Sequence, residues 1–79
     1  MNRSELVEHL LLTQGRFTMG QITREYPEMF YTIRNGVSEA RPKLAAEGFA
    51  IRHINGKTWA ENGYELVRVV DKNGQLVFA

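Results

Sequence analysis

The chain has 79 residues, a formal net charge of +1 and no cysteine. This length predicts a single domain, residues 1–79, and the lack of cysteine excludes a disulfide framework and any thiolate metal site or nucleophile. No apolar run approaches the roughly 20 residues that cross a bilayer. Glu5, Glu8 and His9 interrupt the apolar residues near the N-terminus. We therefore expect no signal peptide and no membrane partner, and a cytoplasmic location.

Charge is distributed unevenly along the chain. Residues 1–30 carry a net charge of −1, residues 31–58 carry +3, and residues 59–79 carry −1. Phosphate contacts dominate the affinity of proteins for nucleic acids, so a positive middle segment is an asymmetry typical of nucleic-acid-binding proteins. A solvated surface without any partner can show the same asymmetry.

The first helix is predicted at about residues 4–14. Ser4 is a suitable N-cap, and Gly15 can end the helix. Apolar side chains recur at helical spacing in this segment and predict one buried face, which Leu6, Val7, Leu10 and Leu11 form.

A second helix is predicted at about residues 19–26. Residues 16–18, just before it, are too few for more than a minimal strand. Thr18 can cap the helix, and Pro27 ends it because the residue before a proline is pushed out of the helical region.

The third helix is predicted at about residues 32–47, with Thr32 as its cap and Gly48 just past its end. A single apolar stripe supports it, made of Ile33, Val37, Ala40 and Leu44.

Two residues inside that third segment oppose helix formation. Gly36 costs about 1 kcal/mol relative to alanine, and Pro42 lacks a backbone donor and costs about 3 kcal/mol in a helix interior. The helix could start late, near Val37, or it could be longer and bent at Pro42. We prefer a start between Thr32 and Gly36.

From residue 49 onward the apolar pattern predicts strands. Residues 49–54 and 57–61 flank Asn55-Gly56, a pair typical of tight β-hairpin turns. Asn62-Gly63 offers a second turn before a strand at residues 64–70. A turn at residues 71–74 and a last strand at residues 75–78 complete a sheet at about residues 49–78. The predicted class is α+β, three helices followed by a small antiparallel sheet.

The segment from Val37 to Phe49 resembles the recognition helix of winged helix-turn-helix regulators, the DNA-binding domains of many small prokaryotic and phage transcriptional regulators. Val37, Ala40, Leu44 and Gly48 match the packing pattern of that helix, and the Asn55-Gly56 turn matches the wing. The resemblance covers roughly residues 18–60. Pro42 is atypical, Arg41 stands where the family usually has an apolar residue, and the interval between helices two and three is a few residues longer than usual.

This resemblance implies sequence-specific binding of double-stranded DNA in transcription regulation. The third helix would lie in the major groove, and the wing at residues 54–58 would touch the backbone. The helix would then present Arg34, Asn35, Ser38, Arg41 and Lys43, and the wing would present Arg52, His53, Lys57 and Thr58. Of these, Arg34 or Arg41 could make a bidentate contact to guanine.

Each of these side chains could instead be an ordinary surface residue, and Trp59 and Tyr64 are expected to pack in the core or on the sheet rather than on bases. A protein–protein interaction module on the same scaffold is the main alternative function, which the near-neutral net charge and the Glu39 and Glu47 carboxylates favour. RNA binding is a third interpretation. We also expect a homodimer or several copies on adjacent sites, with the strand at residues 75–78 as a candidate interface.

Catalysis has little support in the sequence. His9 and His53 fall on separate elements without metal-ligand spacing, and the Asn-Gly pairs do not form a phosphate-binding loop between a strand and a helix. An intervening turn separates Glu61 from Glu65. The sequence therefore predicts no enzyme activity, no cofactor and no metal site.

Overall fold

Three helices and a three-stranded antiparallel sheet make up the described part of the chain. A computed structural model describes residues 1–68. Its helices and strands are α1 (Arg3–Gln14), β1 (Arg16–Thr18), α2 (Met19–Glu25), α3 (Ile33–Ala45), β2 (Phe49–Ile54) and β3 (Gly63–Arg68), with 3-10 turns at Pro27–Thr32 and Trp59–Glu61. The predicted α+β class is confirmed. The predicted turn at residues 71–74 and the strand at 75–78 lie outside the described residues.

Helix α1 starts at Arg3, because Asn2 and not the predicted Ser4 is its N-cap. The Asn2 side chain accepts a hydrogen bond from the Glu5 backbone N–H at 2.8 Å, and the Glu5 carboxylate accepts one from the Asn2 N–H at 2.9 Å. This reciprocal capping box satisfies two backbone donors at once. Ser4 is buried and donates its own hydroxyl to the Asn2 side chain. Gly15 ends the helix as predicted.

Helix α3 starts at Ile33 and runs through both Gly36 and Pro42 to Ala45. The preferred early start is confirmed, whereas the late start near Val37 is wrong, and the helix ends two residues before the predicted position 47. Pro42 has no N–H to donate to the Ser38 carbonyl, its usual partner one turn earlier. Both residues are exposed, so water can replace that bond. The chain then turns at Gly48, whose φ of 93° favours glycine.

The core lies between α1, α3 and the inner face of the sheet. The apolar stripes predicted for helices one and three are buried. The largest fully buried side chains are Phe17, Leu6, Leu11, Ile22, Ile33, Leu44 and Val7.

Gly36 marks a close approach between α1 and α3. A Cβ at this position would lie 2.7 Å from the Arg3 carbonyl oxygen and 3.0 Å from the Arg3 carbonyl carbon. These are backbone atoms, which cannot rotate away as a flexible side chain can. The glycine that lowers the helix propensity of α3 is therefore what lets α1 pack closely against it.

Strand β3 is the central strand, in the order β1-β3-β2. Strand β2 pairs with β3 and not with residues 57–61, and His53 lies opposite Tyr64. The predicted tight hairpin on Asn55-Gly56 is wrong, and residues 55–62 form a longer loop instead. Burial explains the difference: Tyr64 is 8% exposed and its ring centroid lies 5.6 Å from that of Phe17, whereas Trp59 is half-exposed. The predicted Asn62-Gly63 turn is also wrong, because Gly63 begins β3.

The β2–β3 loop, residues 55–62, is held by its own hydrogen bonds. The Gly56 N–H donates to Asn62 Oδ1 at 2.7 Å, and the Lys57 N–H donates to Glu61 Oε2 at 2.8 Å. The Asn62 carbonyl accepts from the Met19 N–H at 2.8 Å, which ties the loop to the start of α2. The position of this loop is therefore set by α2 as well as by its strands.

Substitution of Gly36 by alanine tests the close helix contact. The new methyl group must push α1 away from α3, and we expect Gly36→Ala to lower the free energy of unfolding by about 1–2 kcal/mol, despite the better helix propensity of alanine. Urea denaturation measures this loss. The matched control is Asn35→Ala on the exposed neighbouring position, which should stay within about 0.5 kcal/mol of the wild type. Equal stabilities of the two variants would contradict the packing argument.

Candidate nucleic-acid interface

Helix α3 turns its paired charges toward α1. The Glu39 carboxylate accepts two hydrogen bonds from the Arg3 guanidinium, at 3.0 and 2.6 Å. Lys43 lies 3.7 Å from the Glu8 carboxylate and 3.4 Å from the Ser4 hydroxyl. The structure therefore does not bring Lys43 together with the other predicted contact residues. Its position on the helix directs it to α1, where Glu8 attracts its ammonium group.

The other side of α3 forms an open polar cleft of about 490 Å³. We call it the α3 cleft. Four residues predicted to contact DNA line this cleft and are exposed: Arg34, Asn35, Ser38 and Arg41. Tyr31 is also exposed, whereas the buried Val37 and Tyr64 form the floor of the cleft. Arg34 and Arg41 are seven residues apart, so they point in nearly the same direction from the helix axis. No carboxylate is among the lining residues, all of which lie within 1–68.

Arg41 also joins α3 to the sheet. Its Nη1 donates to the Ile51 carbonyl at 2.8 Å. A guanidinium has five N–H donors, so this bond leaves others for a ligand. The bond holds one end of the side chain, which reduces the conformational entropy lost when the remaining donors bind. A structural role thus accompanies the predicted contact role at this position.

A second cleft, the loop cleft, opens beside the first one between α3 and the β2–β3 loop. Arg34, His53, Trp59, Asn62 and Tyr64 are among its lining residues. Arg34 and Tyr64 also line the α3 cleft, so the two clefts adjoin each other.

His53 is placed in the loop cleft by a row of rings across the sheet. Its ring centroid lies 5.2 Å from that of Tyr64, which in turn packs on the buried Phe17. The His53 side chain is exposed at the end of this row. The hydrophobic core therefore positions a side chain that can act as a hydrogen-bond donor or acceptor next to Arg34.

Arg52 lies on the opposite face of the sheet from His53, because successive strand residues alternate between faces. It pairs with Glu65 across the strands, in a register that places Arg52 opposite Glu65. The structure therefore separates Arg52 from the two clefts. The prediction that Arg52 and His53 contact DNA together is therefore not supported by their positions, because neighbouring residues of a strand point to opposite faces of the sheet.

Lys57 and Thr58 are exposed in the β2–β3 loop and are not among the residues that line either cleft. The Glu61 carboxylate bonds to the Lys57 N–H, so this part of the loop carries a negative charge beside its positive one. The predicted 54–58 wing is thus a bent loop of mixed charge.

Sequence reasoning missed four aromatic or polar residues of the clefts as site residues: Tyr31, Trp59, Asn62 and Tyr64. The sequence predicts Asn62 as a turn residue, and it predicts that Trp59 and Tyr64 pack in the core or on the sheet. Asn62 uses its Oδ1 to accept from Gly56, which directs its amide group as a donor. The only sequence signal for these positions is their polar groups, because their proximity depends on how α3 and the turn before it pack against the sheet and the β2–β3 loop.

The Arg3–Glu39 pair also affects ionisation. Hydrogen bonds from Arg3 lower the pKa of the Glu39 carboxyl below its ordinary value, and the same bonds raise the pKa of Arg3. Both groups are therefore charged at neutral pH, and the negative charge that α3 carries at Glu39 is compensated by α1.

This pKa shift predicts a pH-dependent contribution to stability. A carboxyl with a lowered folded-state pKa stabilises the fold above its unfolded-state pKa, about 4.3, and loses that contribution as the pH falls through the folded-state value. We expect the wild type to exceed Glu39→Gln in stability by more at pH 7 than at pH 3, as measured by urea denaturation. In an Arg3→Gln background the pH dependence of that difference should become smaller, because Arg3 is the main cause of the lowered pKa. A difference that is independent of pH would contradict the assignment.

The described residues include no helix long and apolar enough to cross a membrane. They also include no group of three or more histidine, cysteine, aspartate or glutamate side chains that could hold a metal ion. Comparisons of the chain with protein-family models, curated proteins and solved structures found no match. Functional conclusions therefore depend on the geometry and charge of the chain's own residues.

Proposed function

We propose that the chain binds double-stranded DNA in a sequence-specific way, as a small winged helix-turn-helix transcriptional regulator. The observation that carries this proposal is the α3 cleft, an exposed surface with two arginines, an asparagine and a serine but no carboxylate among its described lining residues. In the proposed complex, α3 enters the major groove, and the β2–β3 loop lies next to the sugar–phosphate backbone.

The side chains of the α3 cleft match the chemistry of base edges and phosphates. An arginine can donate two hydrogen bonds to the O6 and N7 atoms of guanine, and an asparagine can bond the N6 and N7 atoms of adenine. Arg34 and Asn35 therefore support base recognition, and Ser38 supports contact to a base edge or a phosphate. Arg41, held by the Ile51 carbonyl, suits a phosphate that fixes the register of the helix.

The distribution of charge on α3 supports the same orientation. Glu39 and Lys43 have partners on α1, whereas Arg34 and Arg41 lie on the side that faces away from those pairs. The lining of the α3 cleft therefore attracts a phosphate backbone through two arginines and contains no carboxylate that would repel it. The compensation of Glu39 also removes part of the support for a protein-binding module, because that carboxylate is engaged within the fold.

Self-association remains a prediction of this proposal. A single small domain buries a limited DNA surface, and specific recognition is usually strengthened by two copies on adjacent half-sites. The strand at residues 75–78 that was predicted as an interface lies outside the described residues.

Titration of labelled duplex DNA tests the proposal. The probes are a random duplex and duplexes selected from a genomic pool, at several salt concentrations. We expect binding that weakens as salt rises, because each phosphate contact releases a counterion. Arg34→Ala should weaken binding to a selected duplex by about 1–3 kcal/mol if the side chain contacts a base. Arg41→Ala should weaken binding to the selected and the random duplex alike, as expected for the loss of a phosphate contact.

Arg52→Ala is the matched control, since it removes the same charge from the opposite face of the sheet. It should weaken binding less than either cleft variant. The lack of any DNA binding at low salt would contradict the proposal, and a stoichiometric protein partner without a DNA shift would support the protein-interaction alternative. Equal losses in all three variants would indicate a non-specific charge effect and would exclude the α3 cleft as the recognition surface.

A further inference from the structure

Two large aromatic side chains are exposed next to the polar clefts. Tyr31 is 91% exposed at the end of the 3-10 turn before α3, and Trp59 is 52% exposed in the β2–β3 loop. Together we call them the aromatic rim. Exposed rings of this size lose the free energy that burial would provide, so a cluster of them beside a charged cleft is a candidate contact surface.

Phe30 contacts both rings of the aromatic rim. Its ring centroid lies 4.9 Å from that of Tyr31 and 5.3 Å from that of Trp59, both in edge-to-face geometry. Phe30 itself is partly buried against the hydrophobic core. Contact with Phe30 restricts Trp59 before any ligand binds, which reduces the conformational entropy lost when a base stacks on it. Tyr31 is less restricted, since it is 91% exposed.

The aromatic rim adjoins both the α3 cleft and the loop cleft. Tyr31 lines the α3 cleft with Arg34 and Arg41, and Trp59 lines the loop cleft with Arg34 and His53. Between the two rings lies an apolar hollow of about 260 Å³ that Phe30, Pro27 and Thr23 complete. A ligand that spans this region meets an apolar hollow on one side and arginine side chains on the other.

This combination fits a nucleotide with an unpaired base. Arginine donors bind the phosphate, and an aromatic ring stacks on the face of the base. Within an intact duplex the base faces are covered by neighbouring base pairs and only the edges are accessible in the grooves. Stacking on Tyr31 or Trp59 therefore requires a base that has left the duplex stack.

We infer that the aromatic rim stacks on an unpaired base of DNA whose phosphates lie in the arginine-lined clefts. The inference rests on the proposed DNA-binding function and adds a preference for DNA in which duplex adjoins an unpaired nucleotide. Charge complementarity favours DNA over an acidic protein segment here, because the base supplies the flat apolar face and its own backbone supplies the negative charge.

The single tryptophan of the chain reports on this contact directly. We would titrate the full chain with three DNAs that share one sequence: a blunt duplex, the same duplex with one extra unpaired thymine on one strand, and the single strand. We expect Trp59 emission to be quenched by the two DNAs with unpaired bases. The affinity for the bulged duplex, from the anisotropy of labelled DNA, should exceed that for the blunt duplex at least about 5-fold.

Variants of the rim separate stacking from charge. Trp59→Ala should weaken binding to the bulged duplex by about 5- to 150-fold, with little effect on the blunt duplex. Trp59→Phe should retain a substantial part of the preference, because it keeps an aromatic face. Leu12→Ala removes another half-exposed apolar side chain, on α1, and should change neither affinity. Thermal melting of each variant shows whether it is folded.

The outcomes distinguish this inference from the proposed function. Equal affinities for blunt and bulged duplexes with unchanged Trp59 emission would overturn the inference and leave duplex binding intact. A preference for the bulged duplex that persists in folded Trp59→Ala would also overturn it. Failure of the wild type to bind any of the three DNAs at low salt would overturn both, and a protein partner would then be the occupant to seek.

Discussion

The close contact between α1 and α3 at Gly36 determines which way each side of α3 faces. With the Arg3 carbonyl only 2.7 Å from the position a Cβ would occupy, no larger residue fits without movement of a helix. The same approach brings Arg3 to Glu39 and Glu8 to Lys43. Two charged residues of α3 are thereby engaged on the α1 side. Arg34 and Arg41 are left on the opposite side, where they line the α3 cleft with no carboxylate among the described lining residues.

A second constraint connects the core to the surface through the sheet. Phe17 is buried, Tyr64 packs on it from the central strand, and His53 packs on Tyr64 at the exposed end of the row. The pairing of β2 with β3 that creates this row also leaves residues 55–62 as a loop, which Asn62 ties to the start of α2. The position of Trp59 beside Phe30 follows from that attachment. The loop cleft and the position of Trp59 in the aromatic rim are thus consequences of one strand pairing.

These two constraints place all the features of the proposed site on connected surfaces. The α3 cleft has the donors that base edges and phosphates require, and the aromatic rim has the flat apolar faces that an unstacked base requires. A surface with both properties suits DNA that is partly paired and partly open. The proposed regulator function and the inferred preference for an unpaired base remain separate claims, since the arginines could act on a duplex without any contribution from Tyr31 or Trp59.

The sequence by itself determined the helices, their buried stripes and the α+β class, because helix periodicity records which side chains must leave water. The family resemblance implied nine DNA-contact residues on the third helix and the wing, and the structure places five of them in the two adjoining clefts: Arg34, Asn35, Ser38, Arg41 and His53. The sequence did not determine the partner of β2, since Asn55-Gly56 permits a tight turn but burial of Tyr64 against Phe17 favours a more distant strand. Nor did it show that Lys43 and Arg52 face away from the clefts. The direction in which a surface side chain faces depends on what packs against its helix or strand, and only the tertiary structure decides that.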